Sequence, residues 1–103
     1  MKSKQVIIRS EAESDIQDAY QWYEAQRKGL GESFLLCIEE GLSRASRNPA
    51  LHSIIYKEVR RVLIHRFPFG VFFIESEESI SVLAALHARR NPKTWKGRTY
   101  QGQ

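Results

Sequence analysis

The sequence predicts an α+β fold of order β-α-α-β-β-β, a helical hairpin packed on one face of a mostly antiparallel sheet. Three observations carry that prediction. Two consecutive stretches between residues 10 and 48 repeat their apolar positions at intervals of three and four, with two glycines between them. From about Ile54 onward the apolar runs become short and β-branched or alternating. A single apolar triplet, Val6-Ile7-Ile8, precedes the first helical stretch. Helices joined by a few residues form an antiparallel hairpin, and a hairpin laid on a sheet is a two-layer domain.

Each element has its own warrant. Val6-Ile7-Ile8, flanked by polar residues, reads as a short strand. Ser10 has the side chain of a helix N-cap, and Glu13 three residues later would complete a capping box. Glu11, Glu13 and Asp15 crowd the first turn, where the helix dipole favours negative charge. Ala12, Ile16, Ala19, Tyr20 and Tyr23 then form an amphipathic stripe that fades near Lys28, before Gly29 and Gly31. A second helix begins near Glu32, with Phe34, Cys37, Ile38, Gly41, Leu42 and Ala45 on its apolar face. Gly41 is either a tolerated glycine, at about 1 kcal/mol relative to alanine, or a point of close approach by the neighbouring helix. Asn48-Pro49 ends this helix, because the residue before proline is pushed out of the α region.

Val59 to Ile64 reads as a strand bracketed by Arg60, Arg61, His65 and Arg66, and Phe67-Pro68 as a turn or edge feature. Alternation sets Arg60, Val62, Ile64 and Arg66 on one face and Arg61, Leu63 and His65 on the other, without saying which face meets the helices. Phe69 to Ile74 is almost wholly apolar, the pattern of a strand buried on both faces. After a polar connection, Ile80 to His87 forms the last strand. Ile80, Val82, Ala84 and Leu86 point one way and Ser81, Leu83, Ala85 and His87 the other, and Asn91-Pro92 ends it. The helices cover one sheet face, and the other is expected to be open.

At 103 residues the chain has room for one cored domain, expected over residues 1–98, with a short polar tail at 99–103. A hydrophobic content of 42% excludes a disordered chain. No apolar run approaches the ~20 residues of a membrane span, and no secretory leader is expected, so the chain reads as cytoplasmic. A lone cysteine, Cys37, excludes a disulfide framework and a paired-cysteine zinc site. No metal and no cofactor are expected, since His52, His65 and His87 share no ligand-like spacing. The net charge of +4 is uneven. Residues 1–50 hold seven Lys/Arg against eight Asp/Glu, whereas residues 51–103 hold nine against four. A field of that sign attracts phosphate or an acidic partner.

Two groups of residues have chemistry to offer. His87 and Arg89 share a sheet face by alternation, a pairing suited either to general acid-base work on a phosphodiester or to ordering the strand end. Arg60, Arg61 and Arg66 are candidates for bidentate anion binding or for an edge that resists aggregation. Arg90, Lys93, Lys96 and Arg98 extend the basic surface beyond them, around Trp95. On the first helix Trp22 lies next to the Ile16-Tyr20-Tyr23 stripe rather than on it, so one of these large rings is expected to be partly exposed, either to anchor a partner or to pack under a neighbouring loop.

Taken together, these pieces resemble the RelE/ParE superfamily of bacterial type II toxin-antitoxin toxins, over nearly the whole chain. The resemblance rests on Ala12 with Asp15, Trp22-Tyr23-Glu24, Gly29-Leu30-Gly31 with Phe34, and Asn48-Pro49. It continues through Val59-Arg60-Arg61, Arg66-Phe67-Pro68-Phe69 and Leu86-His87-Ala88-Arg89-Arg90-Asn91-Pro92 with Trp95. It implies a plasmid-stabilization-like toxin that inhibits growth and is neutralised by a cognate antitoxin in a hetero-oligomer, with Trp22 and Tyr23 as antitoxin contacts. ParE-like members act by binding DNA gyrase; RelE-like members cut mRNA on the ribosome without a metal. The ribonuclease reading would use His87, Arg89 and Arg61 as catalytic groups. In either reading Arg60, Arg66, Arg90, Lys93, Lys96 and Arg98 would meet the target or nucleic acid. Ribonuclease members commonly carry an arginine after the central aromatic, where this chain has Gly70, and a tail tyrosine where it has Trp95. The segments therefore look closer to the ParE side. A non-toxic member retained as a binding module is the remaining alternative.

Overall fold

The computed structural model describes residues 3–89, and its elements follow from local sequence one by one. Strand β1 (Gln5–Ile8) leads into helix α1 (Ser10–Gln26) and helix α2 (Leu30–Arg47). A 3-10 turn at Pro49–Leu51 precedes β2 (Ser53–Tyr56), β3 (Val59–Leu63), β4 (Phe69–Glu75) and β5 (Ser79–His87). The strands form one sheet in the order β1-β5-β4-β3-β2, with β1 parallel to β5 and the other pairs antiparallel. The predicted α+β class and element order hold, with β2 added as a separate edge strand. Arg90, Asn91-Pro92, Lys93, Trp95, Lys96, Arg98 and the boundary at residue 98 lie outside the described residues.

The expected capping box at Ser10 is not formed. The cap position falls on Arg9, extended at φ −70° and ψ 157°, and no side chain caps the helix. The cause lies in the sheet. The Arg9 N–H donates to the Val82 carbonyl at 3.0 Å, continuing the β1–β5 ladder, so the last extended residue is Arg9 and Ser10 is already helical.

Helix α2 borrows its cap from α1. Gly29 takes a left-handed φ of 89°, where a side chain would be strained, and turns the chain sharply between the helices. The Glu24 carboxylate then accepts the Gly29 N–H at 3.0 Å and the Gly31 N–H at 2.9 Å, two of the orphan donors at the start of α2. These two bonds, Gly29 first, hold the Glu24 carboxyl below the ordinary glutamate range. Its contribution to stability is therefore complete above the unfolded-state value and is lost as pH falls through the lowered folded value. Glu24→Gln should flatten the acid limb of the stability–pH profile, measured by urea unfolding across an acid series. An unchanged profile would remove this carboxylate from the capping role.

The main core lies between the helices and the sheet. Ala12 and Ala19 of α1, Phe34, Ile38 and Ala45 of α2, and Val62, Val71, Phe73, Ile80, Val82 and Ala85 of the sheet are all buried there. Gly41 does mark a close approach, but to the sheet layer and not to α1. A Cβ at that position would stand 3.0 Å from Ile64 Cγ2. Arg44 tightens the same contact by donating from Nη2 to the Leu63 carbonyl at 2.9 Å, while its Nε meets Glu40 at 2.7 Å.

The second sheet face corrects two expectations. It is not bare: Val59, Phe72, Leu83, Ala84 and Leu86 are buried there, with Ile55, Tyr56 and Ile74 packed alongside. Arg61 helps to cover it, laying its stem over Gly70 with Cδ 3.1 Å from where a Cβ would be. Nor does β5 alternate evenly. The register slips between Phe72 and Phe73, which face Ala84 and Val82, so Leu83 is the extra residue of a bulge. Beyond it the faces exchange: Ala85 joins Ile80 and Val82 in the main core, and Ala84 and Leu86 go to the second face.

Candidate functional site

Strand β1 ends at Ile8 opposite Val82, while β5 runs on to His87, so among the described residues the last stretch of β5 has no strand on that side. Helix α1 crosses this gap. Asp15, one turn into the helix, accepts the Ala85 backbone N–H on Oδ2 at 3.1 Å and substitutes for the missing ladder partner. Between α1 and the ends of β4 and β5 lies a cleft of about 590 Å3. Asp15, Asp18, Ala19, Trp22 and Tyr23 form its helical wall, and Pro68, Phe69, Ala85, Leu86 and His87 its floor and far side. The wall residues recur at intervals of three and four, one continuous face of α1.

Trp22 is the outermost apolar group of that wall, 60% exposed. It rests edge-on against Tyr23, with ring centroids 5.1 Å apart and planes at 85°. Tyr23 in turn packs against Phe34 at 5.2 Å, Phe67 at 4.9 Å and Phe69 at 6.0 Å. An exposed ring is thus held by an aromatic cluster rooted in the core. Burial pushes the Tyr23 phenol above the ordinary tyrosine range. His87 lies 5.9 Å from Phe69 on the cleft side, and its Nδ1 accepts the Arg89 N–H at 3.1 Å. That acceptor role leaves the proton of the neutral ring on Nε2.

The basic candidates are dispersed. Arg60 is turned inward to structural work, donating to the His52 carbonyl at 2.7 Å and standing 3.8 Å from Glu75. Arg61 pairs with Phe72 in register and belongs to the second sheet face, whereas Phe69 and its register partner His87 face the helices. Arg66 sits at a left-handed φ of 72° with its guanidinium 5.8 Å from the Phe67 ring. Arg89 is exposed just beyond β5. The structure therefore gathers Trp22, Tyr23 and His87 around one cleft and leaves Arg60, Arg61 and Arg66 elsewhere. Arg90, Lys93, Lys96 and Arg98 lie outside the described residues.

Sequence reading missed Asp15, Asp18, Phe69 and Leu86 as neighbours of Trp22. A signal was available: Asp15, Asp18 and Trp22 stand at i, i+3 and i+7, a second stripe beside the core stripe of the same helix. Among the described residues no three His, Cys, Asp or Glu side chains are grouped to hold a metal ion. No helix among them is long and apolar enough to cross a membrane.

Comparison with known proteins converges on one family. The model for the ParE toxin of the type II toxin-antitoxin system parDE matches residues 6–92. Toxin ParE2 of Mycobacterium tuberculosis, in strain CDC 1551 / Oshkosh, is 21% identical over 104 residues, covering 96% of this chain and 99% of that protein. The ParE2 of strain ATCC 25618 / H37Rv matches to the same extent. Among solved structures, a chain of the chromosomal ParDE TA system from P. aeruginosa superposes with a TM-score of 0.69. It is 18% identical, and the match covers 82% of this chain and 96% of that one.

Proposed function

Because the chain belongs to the ParE toxin family of type II toxin-antitoxin systems, we propose that it halts growth by binding DNA gyrase and that a cognate antitoxin neutralises it by docking in the α1 cleft. One observation supports action by binding over action by cutting: among the described residues, Arg60 and Arg61 do not share a surface with His87, which leaves Arg89 as the cation beside it. His87 faces the helices, Arg61 lies across the sheet from it, and Arg60 is committed to the His52 carbonyl. A phosphate held at His87 would therefore have Arg89 as its candidate cation among the described residues, without the help of Arg60 or Arg61. Docking requires only a shaped surface with a rigid anchor, and Trp22 on its aromatic cluster is one. The reading sets the chain in the cytoplasm, where its target and its antitoxin are made.

Induced expression followed by separate assays of DNA and RNA tests this. Growth should stop, gyrase cleavage complexes should accumulate with SOS induction, and transcripts should stay intact; coexpressed antitoxin should restore growth. Cut transcripts without gyrase complexes would replace this reading with the ribonuclease one. Unimpeded growth at full expression of folded protein would leave only a binding module.

A further inference from the structure

The charge of the cleft runs against the charge of the chain. Although the protein carries +4, helix α1 holds five acidic residues, Glu11, Glu13, Asp15, Asp18 and Glu24, and no lysine or arginine. Two of the five, Asp15 and Asp18, line the cleft, and among the described residues the only basic side chain that lines it with them is His87, with no lysine or arginine. Their positions differ in kind. Asp15 is half-buried and holds the Ala85 N–H, whereas Asp18 is exposed on the rim, with no hydrogen bond or ion pair to any described residue. Four residues along the same face stands Trp22, 60% exposed, above a floor that includes Phe69.

From this arrangement we infer that the antitoxin segment entering the cleft carries a basic side chain to meet Asp18 and, beside it, an apolar anchor that packs on Trp22 and Phe69. The inference rests on the proposed docking of the antitoxin in this cleft and adds the chemistry of what docks. The overall charge would call for an acidic partner; the local field at this surface calls for a basic one. Four helical residues advance about 6 Å along α1. A helical antitoxin segment lying along it should therefore place its basic and apolar residues three or four apart. An extended segment should place them two apart, at roughly 3.3 Å per residue. An acidic residue at the basic position would bring like charges together in a partly desolvated cleft, and that is the repulsion that discriminates among partners.

The test uses the intact toxin and the product of the reading frame beside its own, with affinity measured by titration calorimetry at low and high salt. Trp22→Ala should weaken binding about 30-fold or more, as loss of a central aromatic anchor does. Asp18→Lys should weaken it roughly tenfold at low salt and less at high salt, since the contact is at a screened rim. Changing the facing antitoxin lysine or arginine to glutamate should restore binding to Asp18→Lys and weaken binding to the unchanged toxin. Circular dichroism of each variant separates lost binding from lost fold. If Trp22→Ala weakens binding but Asp18→Lys leaves it equal or tighter, the basic partner is overturned and docking in the cleft stands. If folded forms of both variants bind as the unchanged toxin does, docking in this cleft fails and the inference fails with it. If sedimentation of the toxin alone shows a dimer that Trp22→Ala dissolves, the occupant is a second copy of this chain and the inference is likewise overturned.

Discussion

Phe34→Ala should cost about 3–5 kcal/mol of folding stability, the range for removing a buried phenylalanine. Phe34 has no exposed surface and stands among aromatic rings from α1 and from the sheet side. Its ring centroid is 5.2 Å from Tyr23 on α1, 5.4 Å from Phe67 and 5.1 Å from Phe69 on the sheet side. The hole left by alanine would be bordered by these rings, which cannot collapse into it without breaking their edge-to-face contacts. A domain of this size has roughly 5–15 kcal/mol in total, so the variant should sit near the edge of folding, with a thermal midpoint lower by roughly 15 °C or more. Urea unfolding followed by circular dichroism measures it. A loss below about 1 kcal/mol would mean that Phe34 is not the keystone of this core. The effect should reach the site as well, because Tyr23 leans on Phe34 and Trp22 leans on Tyr23.

That chain of contacts explains why so much of the fold could be read from the sequence. Phe34, Ile38 and Ala45 recur at helical spacing, and all three are buried against the sheet. The wholly apolar run at Phe69 to Ile74 becomes β4, the middle strand of five, with one apolar cluster on each face. Periodicity reports such features because burial of one face is what selects them. Features chosen by something other than local periodicity stayed hidden. The β2–β3 turn is made at Lys57, left-handed at φ 51°, with no glycine or asparagine to announce it. The bulge at Leu83 exchanges the faces of β5 through the pairing with β4, which no single strand records. The cap of α1 moved to Arg9 because a carbonyl on β5 holds its N–H.

The cleft was half legible for the same reason. Trp22 stood out because it sat off the core stripe, and its ring is exposed as that position implies. Its neighbours Phe69, Leu86 and His87 come from strands far along the chain, and no spacing relates them to α1. The basic residues show the converse error. Arg60 and Arg61 are adjacent in sequence and look like one anion site, yet strand alternation sends Arg60 toward the helices and the turn at Pro49–Leu51 and Arg61 to the opposite face. Counting charge along a strand overstates any site built from it, since only alternate residues share a surface.

Asp15 is the sharpest instance, and it yields the second large expectation. In sequence it is one of three acidic residues in a helix's first turns, where a dipole contribution accounts for it fully. In the structure its carboxylate bonds a backbone N–H 70 residues away, at the point where β1 has run out. Asp15→Ala should therefore cost about 1–3 kcal/mol, because it leaves the N–H of Ala85, a residue 1% exposed, buried without its acceptor. Asp15→Asn keeps an oxygen at the same place and should lose much less. A dipole effect alone predicts no such difference: both substitutions remove the charge equally and cost about the same few tenths of a kcal/mol. Amide hydrogen exchange decides between them. Protection of the Ala85 amide should fall in Asp15→Ala, persist in Asp15→Asn, and be untouched by Asp18→Ala on the same rim. Unchanged protection in Asp15→Ala would return Asp15 to the dipole and leave the end of β5 held by its pairing with β4 alone.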